Sequence, residues 1–213
     1  MIQAALFDLG DTLVSFQQAD LYAAYEEAAR QTYDYLRRTL AGPMPKFSSY
    51  RRQHFWRLRW AYFVSRITGG EFNSTDILRR CCARLGIAVP ERLFPELAWQ
   101  WYRPLAERTQ PEPDARETLE ALRARGLALA LVSNTFVAGE VIDRHLDQAG
   151  LLDYFPVRVY SCDFGLRKPR REIFEHALRL VGTAARQAIF VGDTYDTDIV
   201  GARRAGLVAV YKS

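Results

Sequence analysis

The polarity pattern changes period along the chain. Near the start, Ala4, Ala5, Leu6 and Phe7 form an apolar run of strand length that breaks off at Asp8, Gly10, Asp11 and Thr12. A buried strand whose C-terminal end carries an acid is where an open α/β sheet places its chemistry. The plainer reading is a strand followed by a turn, since Gly-Asp is common turn chemistry. From 21 to 40 the period is helical, through Leu21, Tyr25, Ala28, Thr32, Tyr35, Leu36 and Leu40, with Gly42 and Pro43 as the stop. Over 50–67, Trp56, Trp60, Phe63, Val64 and Ile67 share one helical face, while Arg52, Arg59 and Arg66 recur every seven residues on another. This predicts an amphipathic helix with the aromatic stripe packed inward, ended by Gly69 and Gly70. Residues 73–76 offer N-caps for a helix through Leu85, closed by Gly86. Another helical stretch carries Leu93, Leu97, Trp99, Trp101 and Leu105, interrupted by Pro95 and Pro104. No strand is expected between Ser15 and Arg108, so 15–110 reads as an all-helical insertion.

Residues 110–113 (QPEP) read as a linker, after which strands and helices alternate. Helices are expected over 114–125, 137–149, 172–181 and 197–205, each followed by a glycine. Apolar runs at 127–132, 157–160, 188–191 and 207–210 predict strands. This alternation predicts an α/β fold with a Rossmann-like parallel sheet.

Composition narrows the function classes. The 213 residues are 49 % hydrophobic and 25 % charged, ordinary for a globular protein with a full core. A net charge of +4 suits small anionic substrates without indicating nucleic acid. Cys81, Cys82 and Cys162 form neither a disulfide framework nor a zinc pattern, which points to a reducing, cytoplasmic compartment. No signal-like segment and no bilayer-length apolar run is present, so no membrane association is expected.

Three predicted strands end in polar clusters: Asp8 with Gly10, Asp11 and Thr12; Ser133 with Asn134; and Asp193, with Asp196 and Asp198 soon after. Lys168, followed by Pro169, precedes a predicted helix. A parallel sheet gathers these ends on one edge. Several carboxylates, an ammonium and a hydroxyl suit a divalent cation holding a phosphoryl group, as Mg²⁺ is commonly held. Each residue also has a plainer role. Ser133 and Asn134 can cap a helix, Lys168 can be surface charge, and Asp196 and Asp198 suit a helix N-terminus. For Asp196 the plainer role is preferred.

The segments DLGDTL (8–13), LVSN (131–134), GLRKP (165–169) and VGDTYDTD (191–198) resemble, in order, the four motifs of the haloacid dehalogenase superfamily. The resemblance covers 1–14 and about 111–213. In 15–110, which it identifies with that family's helical cap between the first and second motifs, it rests on position and helical content alone. It implies a Rossmann-like catalytic core from 1–14 and 111–213 with an all-helical cap inserted after the first strand. It further implies a Mg²⁺-dependent phosphatase acting through an aspartyl-phosphate on a small phosphorylated metabolite. In those roles Asp8 is the nucleophile. Asp8, the backbone carbonyl of Gly10 and Asp193 ligate the metal, with Asp198 supporting them from behind. Ser133 and the amide of Asn134 bind phosphoryl oxygens, and Lys168 neutralises charge.

Three departures matter. The family's phosphatases place a second aspartate, the general acid–base, two residues after the nucleophile. Here that position is Gly10, and the acid stands at Asp11. Neighbouring side chains point in different directions, so Asp11 is not expected to reach a leaving group. Where the family often has Asp-Pro after Lys-Pro, this chain has Arg170 and Arg171, read as solvated arginines. The family also usually continues with a strand and helix beyond the position of Ser213. Two further functions compete: a 2-haloacid dehalogenase, whose relatives also lack the second aspartate but need no metal, and a weakly active or inactive binding or regulatory protein. Nucleic acid is not expected as a partner, and monomer and dimer are both left open.

Overall fold

The computed structural model describes residues 1–16, 20–68 and 70–213. Gly69, half of one predicted helix stop, and the side chains of Leu21 and Arg66 lie outside the described residues. Strand β1 (Ala4–Phe7) leads through a tight turn to a two-residue strand, β2 (Val14–Ser15). Four helices follow: α1 (Leu21–Thr39), α2 (Phe47–Thr68), α3 (Ser74–Arg84) and α4 (Phe94–Ala106). Then come β3 (Gln110–Pro111), α5 (Ala115–Ala124), β4 (Ala128–Ser133), α6 (Gly139–Gln148), β5 (Val157–Tyr160) and the single turn α7 (Ser161–Phe164). The chain ends through α8 (Arg171–Val181), β6 (Ala188–Gly192), α9 (Val200–Arg204) and β7 (Val208–Tyr211).

Five strands form a wholly parallel sheet in the order β5-β4-β1-β6-β7. Period-two alternation sorts its side chains into two cores. Ala5, Phe7, Leu129 and Leu131 pack with Leu119 of α5 and Ile142 of α6. Ala4, Leu6, Ala130 and Val132 pack on the other face with Phe174 of α8 and Ala202 of α9. Helices therefore cover both faces, which buries the central strand completely, as parallel sheets require. The register sets Phe7 opposite Leu131 and Val191. Asp8, Ser133 and Asp193 consequently leave the sheet within about one residue of the same level, on its C-terminal edge.

Three expectations are corrected. Residues 110–111 are not merely linker: β3 pairs antiparallel with β2, Val14 opposite Pro111. The ribbon closes the helical insertion where it leaves and rejoins the sheet, and Pro111 is tolerated because an edge pair this short needs few donors. Pro95 and Pro104 do not interrupt α4. Pro95 lies in the first turn, where a missing N–H costs nothing, and Pro104 in the last.

The aromatic stripe of α2 does not pack inward. Trp56, Trp60, Phe63, Val64 and Ile67 are 37–68 % exposed. The face turned inward carries Tyr50, His54 and Ser65. Ring geometry accounts for the choice: Tyr50 lies 5.5 Å from Tyr33 and stacks on His54, whose ring meets Trp101 edge-on at 5.9 Å. Interlocking aromatic contacts from α1 and α4 outweigh the burial of the larger stripe. No helix among the described residues is long and apolar enough to cross a membrane.

Candidate active site

The end of β1 is pinned to its neighbour before the first acid appears. The Asp8 N–H donates to the Val191 carbonyl at 2.9 Å, so the carboxylate starts from a fixed backbone. Lys168, on the segment between α7 and α8, is 2 % exposed, so it is not surface charge. Its Nζ stands 2.5 Å from Asp8 Oδ1 and 2.7 Å from Asp198 Oδ1, above the Phe190 ring at 5.1 Å. Asp198 sits in a π-helical turn, Tyr195–Ile199, and its Oδ2 accepts the Thr194 N–H at 3.1 Å. Gly192 permits this fold-back: a Cβ there would lie 2.6 Å from the Asp198 Cβ.

One oxygen from each of Asp8, Asp193 and Asp198 lies within 4.8 Å of the others. Burial pushes the Asp8 carboxyl up to about 6; the Lys168 ammonium pulls it back, and the Asp198 charge adds to the rise. Burial also raises Asp193, with the Asp198 charge adding to it. One ammonium, paired with Asp8 and Asp198, thus stands beside a cluster of three carboxylates, of which Asp8 and Asp193 are held above the usual carboxylate range. This hard-oxygen donor set with surplus negative charge fits a divalent cation such as Mg²⁺. Among the described residues the turn's backbone hydrogen bonds go to the carbonyls of Leu9 and Val14 and none to that of Gly10.

Ser133 ends β4 and is 4 % exposed. Asn134 does not cap a helix. Its side-chain amide grips the Lys168 backbone from both sides, Nδ2 donating to the Lys168 carbonyl at 3.0 Å and Oδ1 accepting the Lys168 N–H at 2.7 Å. This clamp joins positions 34 residues apart, so no local pattern announces it. Asp11 adopts a left-handed backbone, φ +52°, which aspartate tolerates better than most residues. Its Oδ1 accepts the Phe16 N–H at 2.7 Å, so the carboxylate closes the turn. Asp196, Arg170 and Arg171 are exposed, and Arg171 pairs with Glu175 at 2.6 Å.

Three features escaped the sequence reading besides the clamp. Asp198 pairs with Lys168 directly. Thr12, in the first turn, buries a hydroxyl without a partner among the described residues. Glu71, on the segment joining α2 to α3, accepts the Ser161 hydroxyl at 2.7 Å beyond the end of β5. A hollow of about 730 Å³ between α2 and α3 is lined by none of Asp8, Ser133, Lys168 or Asp193. Convergent charge at the strand ends, not volume, marks this site.

The sequence over residues 2–206 matches the family described as haloacid dehalogenase-like hydrolase. The ribulose-1,5-bisphosphate 5-phosphatase of Halopiger xanaduensis is 30 % identical over 222 residues, covering 99 % of this chain and 84 % of that protein. The glyceraldehyde 3-phosphate phosphatase of Methanopyrus kandleri is 28 % identical, covering 99 % and 83 %. Among solved structures, a 2-haloacid dehalogenase from Pseudomonas syringae superposes with a TM-score of 0.64 at 26 % identity, covering 99 % of this chain and 86 % of that one. With four motifs in order, their residues gathered on one sheet edge and matches along nearly its whole length, this chain belongs to the haloacid dehalogenase-like hydrolase family.

Proposed function

We propose that the chain is a Mg²⁺-dependent phosphatase that hydrolyses a small phosphorylated metabolite through an aspartyl-phosphate. The observation carrying this reading is the cluster of Asp8, Asp193 and Asp198, with the buried Lys168 ammonium bridging Asp8 and Asp198. Asp8 attacks phosphorus, the ester P–O bond breaks, and the alkoxide leaves and takes up a proton. Water then attacks the acyl phosphate, releasing inorganic phosphate and restoring the carboxylate. Ser133 and the backbone amide of Asn134 bind the phosphoryl oxygens, and Lys168 stabilises the charge that develops on them. Asp8, the Gly10 carbonyl and Asp193 would hold Mg²⁺, supported by Asp198; the ion supplies further charge neutralisation at the phosphoryl group.

Gly10 and the engaged Asp11 leave the leaving group without the usual acid. General acid help is worth about 10²–10⁴-fold, so turnover is slowed and good leaving groups suffer least. Residues 15–110 act as the cap over the catalytic core in this reading, the compartment is the cytoplasm, and nucleic acid is not a partner. The similar phosphatases act on small phosphorylated sugars and aldehydes by name, which supports the substrate class. The similar dehalogenase and the missing second aspartate favour attack at carbon as the second reading. Magnesium-dependent phosphate release from an aryl phosphate supports the first reading. Metal-independent halide release from a 2-haloacid, without phosphate release, supports the second.

A further inference from the structure

The Asn134 clamp fixes more than Lys168. With the Lys168 backbone held at both its N–H and carbonyl and its ammonium directed at Asp8, the preceding side chain, Arg167, is sent the other way, toward the helical insertion. There its Nε stands 3.9 Å from Glu71 Oε2, too far for a hydrogen bond. The Glu71 side chain is 4 % exposed and takes its hydrogen bond from Ser161, whereas the Arg167 side chain is 34 % exposed. The guanidinium is therefore charge-balanced but retains donors open to a ligand. It lines a crevice of about 40 Å³, walled by Asn134 and Thr135 of the sheet edge and by Tyr62, Glu71 and Phe72 from the insertion. The crevice leaves room beside the guanidinium for a small polar group.

We propose that Arg167 is a specificity-determining residue that receives a carboxylate carried by the substrate a few bonds from its phosphoryl group. The substrate class is accordingly a short phosphorylated hydroxy acid. The assignment rests on the phosphatase reading and deepens it. A guanidinium matches a carboxylate in two parallel hydrogen bonds, which an ammonium cannot reproduce. Glu71 competes with that carboxylate for the same cation, so the two residues have opposite expected effects.

The test compares kcat/KM for phosphoglycolate, ethyl phosphate and ethylene glycol bisphosphate in the wild-type protein and in Arg167→Gln, Arg167→Lys and Glu71→Gln. Dividing each variant's acid-to-neutral ratio by the wild-type ratio cancels the difference in leaving group. Arg167→Gln should lower the phosphoglycolate-to-ethyl phosphate ratio by about tenfold to hundredfold, mainly through KM. Arg167→Lys, which still balances Glu71, should lower it several-fold, and Glu71→Gln should preserve or raise it. An equal fall for Arg167→Gln and Glu71→Gln would make the pair structural and overturn the assignment. An unchanged ratio in Arg167→Gln, or a wild-type preference for the bisphosphate, would overturn it too. No turnover of any ester by the wild-type protein would overturn the phosphatase reading itself, and the assignment with it.

Discussion

Lys168 makes its contacts because Asn134 holds the backbone beneath it. Two hydrogen bonds to one amide fix the Lys168 peptide groups, so the long side chain need not search for Asp8. Replacing Asn134 by alanine removes both bonds and leaves its own backbone amide in place. We expect kcat to fall about tenfold to hundredfold while the melting profile changes little, measured by phosphate release beside thermal unfolding. A second prediction concerns Gly10. A Cβ there would come no closer than 3.7 Å to the Phe16 ring, an ordinary contact. Gly10→Asp should therefore fold and raise activity toward alkyl phosphates more than toward aryl phosphates, within about 10²–10⁴-fold. Equal changes for both substrate classes would mean that another residue already serves as the acid. Asp8, Ser133, Lys168 and Asp193 were legible in the sequence because each ends an apolar run or sits beside a helix-breaking proline. The clamp, the Asp198–Lys168 pair and Glu71 were not, because each depends on a side-chain direction across 30 or more residues or a π-helical turn.

The same limit appears in the helices. Helical spacing located α1 through α4 to within a few residues, yet it assigned α2 the wrong inner face. Hydrophobicity ranks Trp56 and Trp60 above Tyr50 and His54, but which face is buried depends on the rings that α1 and α4 offer. We expect Trp60→Ala to change unfolding free energy by no more than about 0.5 kcal/mol, as at an exposed site. Tyr50→Ala should cost about 3–5 kcal/mol, and denaturant titration of the two variants separates the faces. Two buried histidines, His54 of α2 and His145 of α6, also give the fold a pH dependence. Burial lowers His54 to about 4, and it lowers His145, held between Tyr102 and Thr109, likewise to about 4. The unfolded chain binds these protons near pH 6.5, the folded chain only near 4. Their stabilising contribution is complete above about pH 6.5 and is lost as pH falls to 4, by up to about 3 kcal/mol for each histidine. Unfolding free energies measured from pH 7.5 to 4 should show this slope, and His54→Leu should flatten it.

At the scale of the molecule, strand order does what no single motif does. The order β5-β4-β1-β6-β7 sets the strand bearing Asp8 between those bearing Ser133 and Asp193, with the Lys168 segment reaching in from above. The alternation of apolar runs and helices made the parallel sheet legible, and the short β2–β3 ribbon was missed because two-residue strands carry no periodicity. Everything proposed for the site depends on Asp8 acting as a nucleophile toward phosphorus. The direct measurement is phosphate release from p-nitrophenyl phosphate by the wild-type protein and by Asp8→Asn, each with Mg²⁺ and with a chelator. The account predicts release by the wild-type protein only with Mg²⁺, and none by a folded Asp8→Asn variant under either condition. Near-normal release by Asp8→Asn, or wild-type release unaffected by the chelator, would contradict it.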